Sequence, residues 1–66
     1  MDCIIGVDIG GTDIKYGKFY GTVLIETRKT KTNKTDFGMH ILSEVYTEID
    51  DLTGTDNLIA IGMGVP

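Results

Sequence analysis

Sixty-six residues make about half of an ordinary domain, and a chain this short hides only about 60% of the surface it exposes when unfolded. The apolar share of 41% suits a globular core and excludes a disordered segment. The net charge of −4 leaves no electrostatic footprint for nucleic acid and opposes docking on an anionic membrane surface.

No apolar run approaches the roughly 20 residues of a spanning helix. Nor does Met1 open a basic segment followed by an apolar one, so no secretory leader is expected. The single cysteine, Cys3, excludes an internal disulfide and a cysteine-based zinc site. It reads as a small buried hydrophobe on a strand. Together these features predict a cytoplasmic protein with no nucleic-acid and no membrane partner.

The first predicted strand covers residues 3–9. Cys3, Ile5, Val7 and Ile9 alternate with Ile4, Gly6 and Asp8, and both faces are largely apolar. That pattern predicts a central strand covered on both sides. Residues 13–20 form a second strand, with Ile14, Tyr16 and Lys18 on one face and Lys15, Gly17 and Phe19 on the other. Tyr20-Gly21 reads as a turn, and residues 22–27, rich in β-branched side chains, as a third strand. The opening is therefore a three-stranded antiparallel meander.

Residues 28–35 hold four of the six basic side chains and no apolar one, which predicts a solvated loop. Interleaved aromatics, which a nucleic-acid surface would use, are missing from it. A helix is expected over residues 36–53, with Asp36 as its N-cap. Phe37, Ile41, Leu42, Val45, Tyr46, Ile49 and Leu52 form its apolar stripe. Glu44, Glu48 and Asp51 then form a solvated face, and His40 is a surface histidine. Gly54 ends the helix. Residues 58–65 make the last strand, apolar on both faces as a buried parallel strand would be, with Gly62 and Gly64 opening one face.

The chemistry is concentrated in Asp8-Ile9-Gly10-Gly11-Thr12-Asp13-Ile14-Lys15. A diglycine between two β-rich runs is an ordinary hairpin signal. A carboxylate at the end of an apolar strand is less ordinary, because it needs a partner, water or a cation. Phosphate oxygens want donors, and a turn aims N–H groups into one concavity. Glycine lets the backbone approach a ligand closely. Thr12 adds a hydroxyl and Lys15 a point charge. Asp8 suits the hydration shell of Mg²⁺, which usually takes one or two carboxylates and keeps several waters. There is no Gly-x4-Gly-Lys-Ser/Thr run and no Gly-x-Gly-x-x-Gly run, so P-loop and Rossmann readings fall away.

The run from Asp8 to Lys15 resembles the phosphate-1 motif of the ROK family of sugar kinases and repressors, in the sugar kinase/Hsp70/actin superfamily. The last residues, Ile61-Gly62-Met63-Gly64-Val65-Pro66, resemble that family's later Gly-x-Gly-x-Pro run. Two motifs in the right order span the whole chain. The resemblance implies an α/β fold, β-β-β-α-β, forming the first half of an RNase H-like (actin-like ATPase) domain with strand order 3-2-1-4. Residues 1–66 would then be a partial N-terminal lobe.

It further implies an ATP-dependent, glucokinase-like kinase that moves a phosphoryl group from Mg·ATP to a hexose or amino-sugar hydroxyl, acting as a homo-oligomer. Asp8 contacts Mg²⁺ through water, Gly10, Gly11 and Thr12 cradle the phosphates, and Lys15 adds charge. The family's catalytic aspartate, sugar-binding residues, zinc-binding cysteine cluster and adenosine pocket fall beyond residue 66. The chain alone is therefore expected to be catalytically inactive. Two other classes remain open. One is a sugar-responsive transcriptional regulator of the same family, disfavoured because Met1 stands almost on the first strand. The other is an inactive fragment that pairs with itself through its edge strands.

Overall fold

The computed structural model describes residues 1–32 and 40–64. Four strands and one helix follow in chain order: β1 (Asp2–Ile9), β2 (Asp13–Tyr20), β3 (Val23–Lys31), α1 (Ile41–Thr53) and β4 (Asn57–Gly64). The sheet order is β3-β2-β1-β4, the order that the resemblance implies. β1–β2 and β2–β3 are antiparallel and β1–β4 is parallel. This is an α/β fold on a mixed sheet.

Strand alternation sorts the side chains onto two faces. Cys3, Ile5 and Val7 of β1 and Ile14, Tyr16 and Lys18 of β2 are all buried. The helix covers that face through Val45, Ile49 and Leu52, one stripe at spacings of four and three. Ile5, Val7, Ile14 and Tyr16 join them in the core, with Ile9, Ile41 and Leu58 packed around it. Each such aliphatic side chain contributes about 1.5–3 kcal/mol by leaving water. Cys3 is buried, as expected of a strand hydrophobe.

The helix differs from its prediction at two places. It begins at Ile41 with His40 at the N-cap position, and no side chain caps it. The expected cap Asp36 and stripe residue Phe37 lie outside the described residues. Leu42 and Tyr46, expected in the apolar stripe, are 54% and 56% exposed, because the buried arc is narrower than the stripe. The helix ends at Gly54, whose φ of 58° is a backbone state that suits glycine.

The basic segment is a further correction. Residues 28–31 are not loop but the second half of β3, paired Tyr16↔Arg28 and Ile14↔Thr30. Arg28 reaches over to the helix, where its Nη1 lies 2.7 Å from both Glu48 and Asp51. Asp51 and Glu44 are exposed and Glu48 is half-buried, so the expected solvated face holds, and its Glu48 and Asp51 also tie the helix to the sheet. Strand coverage is the last correction. Among the described residues one helix covers one face, so Ile4, Gly6 and Asp8 of β1 look onto the side it leaves open. β4 is an edge whose Ile59, Ile61 and Met63 are 57%, 43% and 44% exposed. Among the described residues no helix is long and apolar enough to cross a membrane.

Candidate functional site

The open face and the β1–β2 hairpin tip carry the sequence-predicted site. Antiparallel pairing puts Asp8 directly opposite Lys15, and parallel pairing puts Gly64 on the other side of Asp8. The next row inward is Gly17–Gly6–Gly62, three glycines in register across three strands. With no side chain standing there, the sheet surface sinks into a groove of about 630 Å³. Its lining includes Asp8, Lys15, Phe19, Leu24 and Thr27. Gly62 and Gly64 thus open the same face, and that face is the one that carries Asp8.

The tip itself is held by backbone. The Gly10 N–H donates to the Asp13 carbonyl at 2.9 Å. A Cβ on Gly10 would sit 2.8 Å from that same oxygen, a distance real Cβ atoms do not adopt. Glycine is therefore required at position 10 by the close approach of the hairpin's own backbone. β3 then clamps the loop from the side: the Thr32 N–H donates to the Thr12 carbonyl at 2.9 Å, and the Thr32 hydroxyl donates to the Gly10 carbonyl at 2.8 Å. Thr32 was not singled out by sequence. A threonine in a polar run carries no signal that a turn twenty residues earlier needs it.

With the Gly10 amide committed to Asp13, the donors left at the tip are the amides of Gly11 and Thr12 and the Thr12 hydroxyl. Among the described residues none of these three is hydrogen-bonded to the protein. Gly11 and Thr12 are exposed, and so are Asp8 and Lys15. Neither Asp8 nor Lys15 has an ion-pair partner within 4.0 Å among the described residues. The tip therefore presents donors and charges that the fold itself does not use. All five predicted residues gather at this one end of the sheet. Asp8 is a lone carboxylate here: among the described residues no group of three or more His, Cys, Asp or Glu side chains could hold a metal ion. A hydrated Mg²⁺, which usually takes one or two carboxylates, is compatible with that; a multi-ligand zinc site is not.

A second polar cluster, missed by the sequence reading, lies at the opposite end of β2 on the helix face. Lys18 Nζ is 2.7 Å from an Asp56 carboxylate oxygen and donates to the Thr53 carbonyl at 3.3 Å. Tyr20 donates its hydroxyl to the same carboxylate, and the N-terminal amine of Met1 reaches its other oxygen at 3.2 Å. The hydrogen bond from Lys18 holds Asp56 far below the usual carboxylate range, with the Tyr20 bond next in weight. The reciprocal bonds push Lys18 and Tyr20 upward. The one sequence clue was Lys18 standing in phase with Ile14 and Tyr16 on an apolar face, since a buried ammonium requires an acid.

No family model matches this chain, and no curated protein matches it either.

Proposed function

We propose that the β1–β2 hairpin tip is the ATP-phosphate-binding element of a sugar kinase of the ROK type, built on the first half of an RNase H-like domain. The strand order 3-2-1-4, with an antiparallel meander, a helical crossover and a parallel fourth strand, supports the fold reading. One observation carries the site reading. Asp8 and Lys15 face each other across the mouth of a glycine turn, and both lack a protein partner among the described residues.

In this reading each group has a task. Asp8 accepts hydrogen bonds from the water shell of Mg²⁺, which neutralises phosphate charge when bound. The Gly11 and Thr12 amides and the Thr12 hydroxyl donate to phosphate oxygens. Lys15 adds a mobile positive charge. Gly10 shapes the turn. Phosphoryl transfer is largely positioning and charge neutralisation. These residues do that part of the work, and the base that takes the sugar proton is none of them.

Calorimetric titration of the chain with Mg·ATP tests the proposal. Saturable binding is expected, and Asp8→Ala weakens it by about tenfold or more, the loss of a charge-assisted contact. Equal affinity of wild type and Asp8→Ala overturns the role given to Asp8.

A second reading is favoured by a separate observation. The edge strands β3 and β4 expose Leu24, Ile25, Ile59, Ile61 and Met63. An exposed apolar edge is a template for pairing between chains. In that reading the chain is a self-associating protein without catalysis. A light-scattering mass equal to one chain at the concentrations used for titration removes it.

A further inference from the structure

We infer that Lys29 is a second phosphate anchor, so that a polyphosphate chain lies across the strands from Asp8, over Lys15, to β3. This rests on reading the hairpin tip as a phosphate site, and adds to it a residue and a direction.

The β2–β3 register sets Lys29 directly opposite Lys15, on the open face. Both are exposed, and among the described residues neither has a carboxylate within 4.0 Å. The neighbouring basic groups are placed differently. Arg28 points to the other face and is held by Glu48 and Asp51. Lys31 stands opposite Asp13. Like charges directly opposite each other destabilise a strand pair. Asp8 stands on the far side of Lys15 in the same row, but among the described residues no carboxylate comes within 4.0 Å of either ammonium, so the two side by side describe an anion site better than they describe a strand.

The surface agrees with the charges. A groove of about 320 Å³ ends on Lys29 and shares Lys15, Tyr16 and Thr27 with the larger groove that reaches Asp8. The two form one path along the row Asp8–Lys15–Lys29. Two strand spacings cover about 10 Å, the reach of a short polyphosphate chain. The row runs from negative to positive: a cation belongs at the Asp8 end and phosphate oxygens belong at the lysine end. The ligand class is thus the polyphosphate chain of a nucleoside triphosphate, and inorganic tripolyphosphate shares its chemistry.

The test uses the whole chain titrated with Mg·tripolyphosphate and with Mg·ATP, at low and at moderate salt. Lys29→Ala weakens both ligands by about tenfold and makes binding less salt-dependent, while Lys31→Ala leaves them nearly unchanged. Lys29→Arg restores most of the affinity. Without ligand, Lys29→Ala raises the thermal midpoint by a few degrees because the repulsion with Lys15 is gone. A merely structural Lys29 would move stability and affinity in the same direction. If wild type binds and Lys29→Ala binds equally well, this inference is overturned while the phosphate site stands. If wild type binds neither ligand, the phosphate site itself falls. Binding of tripolyphosphate without ATP supports Lys29 as an anchor and overturns the nucleotide as its ligand.

Discussion

Lys15 and Lys18 sit three residues apart on β2 and face opposite sides of the sheet. Lys18 is buried against the helix end, with Asp56 at 2.7 Å and the Thr53 carbonyl at 3.3 Å. Lys15 is exposed beside Asp8 and Lys29, and no described carboxylate lies within 4.0 Å of it. The two aspartates divide in the same way. Asp56 collects an ammonium, a phenol and the chain's own amine, whereas Asp8 collects none among the described residues. The comparison teaches how to separate structural polar groups from available ones. A charge whose partners come from distant parts of the chain holds the fold together. A charge that the fold leaves alone, at the mouth of a turn with spare donors, is free to meet a ligand.

The Lys18 cluster also repairs a defect visible in the sequence. The helix ends in Asp50 and Asp51 with no basic residue in its last turn, which is unfavourable against the helix dipole. Lys18 brings a positive charge to that end from a strand. Truncating it therefore has the largest expected effect. Lys18→Ala removes the ion pair and the carbonyl contact together and leaves Asp56 without its main partner. The thermal midpoint in a calorimetric or circular-dichroism melt falls steeply. Lys15→Ala leaves the midpoint unchanged or slightly raised. Equal losses for the two would erase the distinction between them.

A pH series sharpens the same contrast. Asp56 titrates below its ordinary value of 3.8 in the fold, so its contribution is present above 3.8 and is lost as pH falls through the folded value. Lys18 and Tyr20 are raised above 10.5 and 10.0, so their contributions are present below those values and are lost as pH rises through the folded ones. The hydrogen bond to Asp56 is the leading cause for both. Asp56→Asn should therefore flatten stability against pH at the acid end and the alkaline end together.

The smallest effect belongs to the tip. Thr32→Val removes the hydroxyl bond to the Gly10 carbonyl and keeps the shape of the side chain. Denaturant unfolding should register about 0.5–1.5 kcal/mol. Mg·ATP affinity should fall as well, because the loop that offers the Gly11 and Thr12 amides is no longer clamped. A loss of stability with full affinity would mean that the clamp does not order the donors.

Much of this molecule is legible without coordinates. Alternation in residues 3–9 and 13–20 identifies β1, β2 and the faces of their side chains, and Val45, Ile49 and Leu52 mark the helix stripe. Asp8, Gly10, Gly11, Thr12 and Lys15 are adjacent in sequence, and a hairpin keeps adjacent residues adjacent in space. The misreadings have a common origin. The polar run at residues 28–31 looks like loop until β2 supplies its pairing. Glu48 and Asp51 carry no sign in the sequence that Arg28 reaches them, and β4 looks buried until the one helix among the described residues is seen to lie elsewhere.

Local pattern by itself determined β1, β2, the buried stripe of the helix and the tip with its stranded carboxylate, because each depends on residues a few positions apart. Tertiary structure alone decided which charges are spoken for. Lys18 with Asp56, Arg28 with Glu48 and Thr32 with Gly10 are each joined across twenty or more positions. Such pairings follow from how the sheet and helix pack, since no periodicity in a chain encodes which distant partner will be brought within hydrogen-bond reach.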